Sequence, residues 1–199
     1  MNNKEGNIEK KKRNNGDTLL TYECKKGNIE KVKNLIESGE NINEPNKDGD
    51  TPLLISIKKS NKELTELLLS YNDIDINKKS NYGISPLLEA CYLNNKDIVN
   101  MLINYGANVN ISDNINNLPL HIACYFNNIE IINSLININN KLYEESNLFG
   151  DTPKKISEQL NNKEWNDGLN GKIKIKKKKY FIYLFIYIFI YLFVIVSYS

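Results

Sequence analysis

Few residues of this chain are equipped for chemistry. Acyl transfer by a Ser-His-Asp or Cys-His arrangement needs a histidine, and the 199-residue sequence holds one, His121. Cys24, Cys91 and Cys124 do not fall at zinc-ligand spacing, and their odd number argues for a reducing compartment over a disulfide framework. Neither a glycine-rich phosphate loop nor an Asp-rich calcium loop is written anywhere, and the pair Asp73-Ile74-Asp75 is that of a turn. The expectation is a protein with no catalytic residues, no metal and no cofactor.

What positions these residues is a phrase written five times. From Pro119 in Leu118-Pro119-Leu120-His121-Ile122-Ala123-Cys124, a step back of 33 residues reaches Pro86, another 34 reaches Pro52, and another 33 reaches Leu19 in Gly16-Asp17-Thr18-Leu19-Leu20. A step forward of 34 reaches Pro153. Second apolar runs follow at Ile29 to Ile36, Leu64 to Leu69, Ile98 to Ile103 and Ile129 to Ile136. Most copies close on a phrase such as Gly39-Glu40-Asn41-Ile42-Asn43 or Gly106-Ala107-Asn108-Val109-Asn110.

A unit of this length, with Thr-Pro-Leu-His-x-Ala opening a short helix and a Gly-Ala-Asn-Val-Asn turn closing a second, resembles the ankyrin repeat. The resemblance covers roughly residues 14–165. It implies an all-α solenoid of stacked helix-turn-helix units with finger turns, the units being about 14–46, 47–80, 81–113, 114–146 and a degenerate cap at 147–165. It also gives His121 a structural role, bonding neighbouring turns and the threonine hydroxyl, although here Leu118 replaces that threonine. The three cysteines share the slot where such units place a small apolar residue, and a free cysteine packs as a small hydrophobe.

Around this domain the sequence predicts a disordered leader at 1–13, a lysine-rich linker at 166–179 and a hydrophobic tail at 180–199. No apolar stretch follows Met1, which argues against a cleaved signal, and Lys10-Lys11-Lys12-Arg13 is a solvated leader more than an import patch. Residues 172–179 carry six lysines, leaving 20 basic against 24 acidic side chains elsewhere, so the remainder is about four units negative. That balance gives little support to nucleic-acid binding by the repeat surface as a whole, and no nucleic-acid or small-molecule partner is expected.

Within the units, Thr18 and Thr51 are placed to cap helices, Pro52 to open one, and Gly27 to stop one. The absent hydroxyl at Leu118 should weaken its helix start by about 1 kcal/mol. Asn116 and Asn139 stand at glycine positions and are expected at positive φ. Expected core residues include Leu20, Cys24, Ile29, Val32, Leu35, Ile36, Leu53, Leu54, Ile57, Leu64, Leu67, Leu68, Leu87, Ala90, Cys91, Ile98, Val99, Leu102 and Ile103. Glu23, in the slot of Ala90 and Ala123, is expected at the open end of the stack.

From Tyr180 to Val196 no residue is charged, and Phe181, Phe185, Phe189 and Phe193 recur every four residues. At 1.5 Å per residue, 17 to 20 residues reach about 26 to 30 Å, enough for the hydrocarbon core of a bilayer. The adjacent lysines put that side in the cytoplasm, and only three residues follow, so the tail predicts a transmembrane helix that anchors the protein after synthesis. The same Lys/Ile/Tyr/Phe text, with heavy asparagine use elsewhere, is also what A/T-biased coding produces.

A solenoid's working part is its concave surface. The resemblance makes candidates of the finger tips and of the two residues after each buried Cys or Ile position: Lys25-Lys26, Lys58-Lys59, Tyr92-Leu93 and Tyr125-Phe126. The last four large side chains form an apolar patch that Tyr82, Ile84, Ile115, Leu148 and Phe149 extend along the fingers. Lys58, Lys59, Tyr82, Tyr92, Leu93, Ile115, Tyr125, Phe126 and Phe149 are the expected partner-binding residues, and Tyr92→Ala with Tyr125→Ala should weaken capture without lowering the melting temperature. The sequence thus supports a non-enzymatic protein-binding scaffold, single-pass at a membrane with its N-terminal domain cytoplasmic. The alternatives are a soluble cytosolic or nuclear adaptor with an artefactual tail, and a fragment of a larger ankyrin-bearing membrane enzyme such as a protein acyltransferase, whose Asp-His-His-Cys motif is missing.

Overall fold

Nine short α-helices and one 3-10 turn make up the described part of the chain. The structure, a computed structural model, describes residues 16–161. The chain divides into two units, 1–160 and 161–199, and the account below concerns the first. The expected leader, the end of the last repeat, the linker and the transmembrane helix over 180–196 lie outside the described residues. Among those described, no helix is long and apolar enough to cross a membrane, and no strand is present.

The helices are α1 (Leu19–Lys26), α2 (Ile29–Glu37), α3 (Pro52–Lys58), α4 (Lys62–Leu69), α5 (Pro86–Tyr92), α6 (Lys96–Asn104), α7 (Pro119–Tyr125), α8 (Ile129–Ile138) and α9 (Pro153–Asn161), with the 3-10 turn Asn140–Glu144 between the last two. Each of the first four odd-numbered helices packs against the even-numbered helix that follows it. In addition α1 stacks on α3, α3 on α5 and α5 on α7, while α4 stacks on α6 and α6 on α8. The result is two parallel rows of helices, one layer per sequence repeat.

Each layer is punctuated by the same local chemistry. Thr18, Thr51 and Ser85 accept the N–H three residues on, at 3.0, 3.2 and 3.3 Å, and proline opens α3, α5 and α7. The first helices end on one residue in the left-handed region: Gly27 at φ 70°, Ser60 at 51°, Asn94 at 52° and Asn127 at 53°. The next residue, Asn28, Asn61, Asn95 or Asn128, returns its own N–H to Glu23, Ser56, Ala90 or Ala123, closing a Schellman turn. Its side-chain oxygen then caps the second helix at 3.4, 3.0, 3.2 and 3.1 Å. Two residues therefore stop one helix and start the next.

The core lies between the two rows. Leu53, Leu54, Ile57, Leu64, Leu68, Leu87, Leu88, Ile98, Leu102 and Leu120 are fully buried, each such side chain contributing about 1.5–3 kcal/mol. The outer row is buried on a narrower stripe than the sequence suggests. Leu67 and Ile103 are half-buried, and Leu69 is buried beside Leu68. In α2 only Val32 is buried, with Ile29, Leu35 and Ile36 half-exposed, because among the described residues a terminal layer has a neighbour on one side only.

Two expectations need correction. Glu23 does not sit exposed at an open end: it is 5% exposed, because its slot faces the second helix of its own layer, as Ser56 faces Thr65 at 2.9 Å. There its Oε1 lies 4.0 Å from Lys31 Nζ, and its buried Oε2 has no hydrogen-bond partner. Asn139 is not at positive φ but extended, at φ −150°. The fourth unit lacks the Gly-x-Asn-x-Asn close, and Asn139 instead caps the 3-10 turn through Lys141 N–H at 3.2 Å. Asn116, at φ 59°, does adopt the glycine geometry.

Candidate partner-binding surface

The fingers between layers are folded by one side chain each. Asn46 Oδ1 accepts the N–H groups of Asp48 and Asp50, both at 2.9 Å. Asp113 Oδ1 does the same for Ile115 and Asn117, and Asn147 Oδ1 for Phe149 and Asp151. Ser80, with its shorter arm, takes Tyr82 N–H at 3.3 Å. Successive fingers are tied by Lys47 N–H to Gly16 O, Asn81 N–H to Asp48 O and Leu148 N–H to Ile115 O, each at 3.1 Å. Gly49 and Gly83, both at φ 78°, have no room for a Cβ, since it would collide with Asn81 or Asn114 of the next finger.

This frame puts the third residue of each finger, namely Asp48, Tyr82, Ile115 and Phe149, at equivalent places along one edge. The residues ending the inner helices form the second row. Lys58 is held back by Asp50, its Nζ lying 2.8 and 2.7 Å from the two carboxylate oxygens. Burial holds the Asp50 carboxyl above the ordinary range, and Lys58 offsets only part of that rise. Lys25 is likewise 2.7 Å from Asp17, and Lys26 lies over the Tyr22 ring at 4.5 Å. Lys59 is exposed.

The aromatic half of the row reaches the other way, to the finger that follows. Tyr92 Oη donates to Asp113 Oδ2 at 2.7 Å, and Asn147 Nδ2 donates to Tyr125 Oη at 3.3 Å. Both rings are half-buried. The two tyrosines are therefore cement between layers as well as surface, and the expectation that alanine there leaves the melting temperature unchanged fails on the lost hydroxyl bonds. Phe126, Tyr82 and Ile115 are half-buried, while Leu93 is 42%, Phe149 49% and Leu148 65% exposed. Ile84 does not belong to the surface; it is buried against the stack.

The candidates for chemistry are occupied by structure. His121 is fully buried. Its Nδ1 accepts Leu118 N–H at 3.1 Å, and its Nε2 lies 3.0 Å from the Asp151 carbonyl oxygen. A carbonyl only accepts, so Nε2 carries the proton and the ring is neutral. Burial chiefly, against the pull of Asp151 and Asp113, keeps its pKa low. The missing threonine at Leu118 thus leaves the histidine both its bonds, and the orphaned His121 N–H is taken by Leu118 O at 2.9 Å.

All three cysteines are free and buried. Desolvation, with Glu23 adding to it, pushes the Cys24 thiol up to about 12, and desolvation raises Cys124 to about 11 against the Ser157 hydrogen bond. Cys91 is raised by burial alone. Such thiols are inert packing groups. The Asp73-Ile74-Asp75 turn is pinned by Asn43, which donates to Asp73 O at 2.7 Å and accepts from Asp75 N–H at 2.8 Å. Among the described residues no group of His, Cys, Asp and Glu could hold a metal ion.

A family model described as ankyrin repeats, in three copies, matches residues 2–80 and 74–147. The chain belongs to the ankyrin repeat family. Its first match begins at residue 2, within the stretch expected to be a leader. No curated protein matches the chain at a significant level. Ankyrin stacks are in general non-enzymatic interaction modules, and this one supports a role in binding protein partners. The asparagines that cap the second helices of this ankyrin stack went unread in the sequence, although Asn28, Asn61, Asn95 and Asn128 recur at 33, 34 and 33 residues.

Proposed function

We propose that the chain is a non-enzymatic scaffold that holds a partner protein in its concave groove and is tail-anchored at the cytoplasmic face of a membrane. The observation that carries the first half is the exposure of Leu93, Leu148 and Phe149 beside Phe126, Tyr82 and Ile115. Large apolar side chains left exposed along one face of a repeat stack mark an interface. Lys58 and Lys59 flank that patch.

The second half rests on composition: residues 180–196 are uncharged and the eight before them hold six lysines. On this reading the domain occupies 14–165, the linker 166–179 and the anchor 180–196. Deleting residues 172–199 should release the protein from membranes, and carbonate extraction should leave the full chain in the pellet. A truncated protein that stays membrane-bound, or a full chain that washes off, removes the anchor.

A further inference from the structure

The groove is not uniform, and its two walls change character at the same layer. Along the finger wall the third residues run Asp48, then Tyr82, Ile115 and Phe149; along the helix wall the pairs run Lys25-Lys26 and Lys58-Lys59, then Tyr92-Leu93 and Tyr125-Phe126. Both walls are charged up to α3 and apolar from α5 onward. The two walls come from different parts of each repeat and are joined by bonds such as Lys58 to Asp50 and Tyr92 to Asp113, so one character runs across the groove at each layer. A ligand that lies along the groove and touches both walls meets the two characters in turn.

The hydrogen bonds sharpen what that ligand is. In the charged half Lys25 and Lys58 are engaged by the buried Asp17 and Asp50, so the lysines do not form a bare anion site. Counting Lys25, Lys26, Lys47, Lys58 and Lys59 against Asp17, Asp48 and Asp50 still leaves that half two units positive. In the apolar half the tyrosine hydroxyls are bonded to Asp113 and Asn147. What faces outward there is hydrocarbon: Leu93, Leu148 and the Phe149 ring.

We propose, on the reading that the groove is the working surface, that its occupant is a bipartite partner segment. Leucine or phenylalanine side chains of the segment lie over α5, α7 and the last finger, and its continuation toward α1 and α3 is acidic. The apolar half carries the affinity, because two exposed charges are screened by salt whereas aromatic and leucine anchors in a patch centre are where binding energy concentrates. The acidic half sets which way round the segment lies.

The test is selection from a random library of peptides about 16 residues long, roughly 24 Å as a helix, against the full-length protein in detergent micelles. Enriched peptides should carry clustered Leu or Phe at one end and Asp or Glu at the other. They should lose about tenfold or more in affinity to a Leu93→Ser/Phe149→Ser protein that keeps its circular dichroism, and only about two- to threefold to Lys59→Glu or to a rise in salt from about 0.05 to 0.3 M. Basic or uniformly polar consensus peptides that still respond to the double substitution would overturn this inference and leave the groove as the working surface. Peptides indifferent to the substitution, or no enrichment over it, would overturn both.

Discussion

Replacing His121 by alanine removes two bonds at once, and the structure says what each loss costs. The contacts with the ring are buried; the Leu118 N–H would be left without its acceptor, while the Asp151 carbonyl would lose this bond but keep the Asn147 N–H at 3.0 Å. An orphaned buried group costs about 1–3 kcal/mol, and the volume vacated by a fully buried ring adds a cavity term. The expected loss is about 3–5 kcal/mol, a large share of the roughly 5–15 kcal/mol that holds a domain together. Because the Nε2 bond joins α7 to the finger before α9, amide exchange in α9 should accelerate first. Urea unfolding of the full-length protein in micelles, followed by far-ultraviolet circular dichroism, measures the total.

The same histidine sets the response to acid. Its pKa is lowered in the fold, chiefly by burial, so the neutral ring is the folded form. The stability it contributes is fully present above the unfolded value of about 6.5 and is lost as pH falls through the folded value, by at most about 1.4 kcal/mol per pH unit. The chain has no second histidine. The wild-type decline below about pH 6.5 should therefore be shallower in His121→Ala. A loss under about 1 kcal/mol at pH 7.5, or an identical pH slope in both proteins, would refute the assignment of the two bonds.

Asn61→Ala and Asn95→Ala, each removing a helix cap, should lower stability by about 1 kcal/mol apiece in the same urea assay; no change would mean that these caps carry no weight. Ser60→Gly should raise it by about 0.5–1 kcal/mol, since relief of the left-handed φ outweighs the extra freedom of glycine in the unfolded chain, and a destabilised variant would contradict the geometry at φ 51°. Tyr92→Phe should cost about 1–2 kcal/mol through the lost bond to Asp113, more than Tyr125→Phe with its longer contact to Asn147; equal effects would show that the hydroxyls do not tie the layers.

Much of the fold was legible because the repeat writes each layer with the same spacing. Proline at the first helical position, threonine or serine before it, and apolar residues at helical intervals give helix starts and inward faces without reference to neighbours. Heavy asparagine use looked like a compositional habit, yet Asn94, Asn116 and Asn127 hold left-handed turns, Asn28, Asn61, Asn95 and Asn128 cap helices, and Asn46 and Asn147 fold fingers. Their period was present to be read. The candidate surface was legible only as positions, since equivalence in a repeat says which residues share a row, not which of them are spoken for.

The order of helices, the layer period and the buried cysteine slot follow from the sequence by itself, because each depends on contacts within a repeat or on identical contacts copied to the next. The partners of Tyr92, Tyr125, Lys58 and His121 lie on fingers 8 to 30 residues from them and were settled only when the layers stacked. So was the burial of Ile84. Those outcomes turn on distances between layers, about 2.7 Å for the Tyr92 bond to Asp113, and a one-dimensional pattern fixes the spacing of residues along the chain but not which side chain arrives first at a shared acceptor.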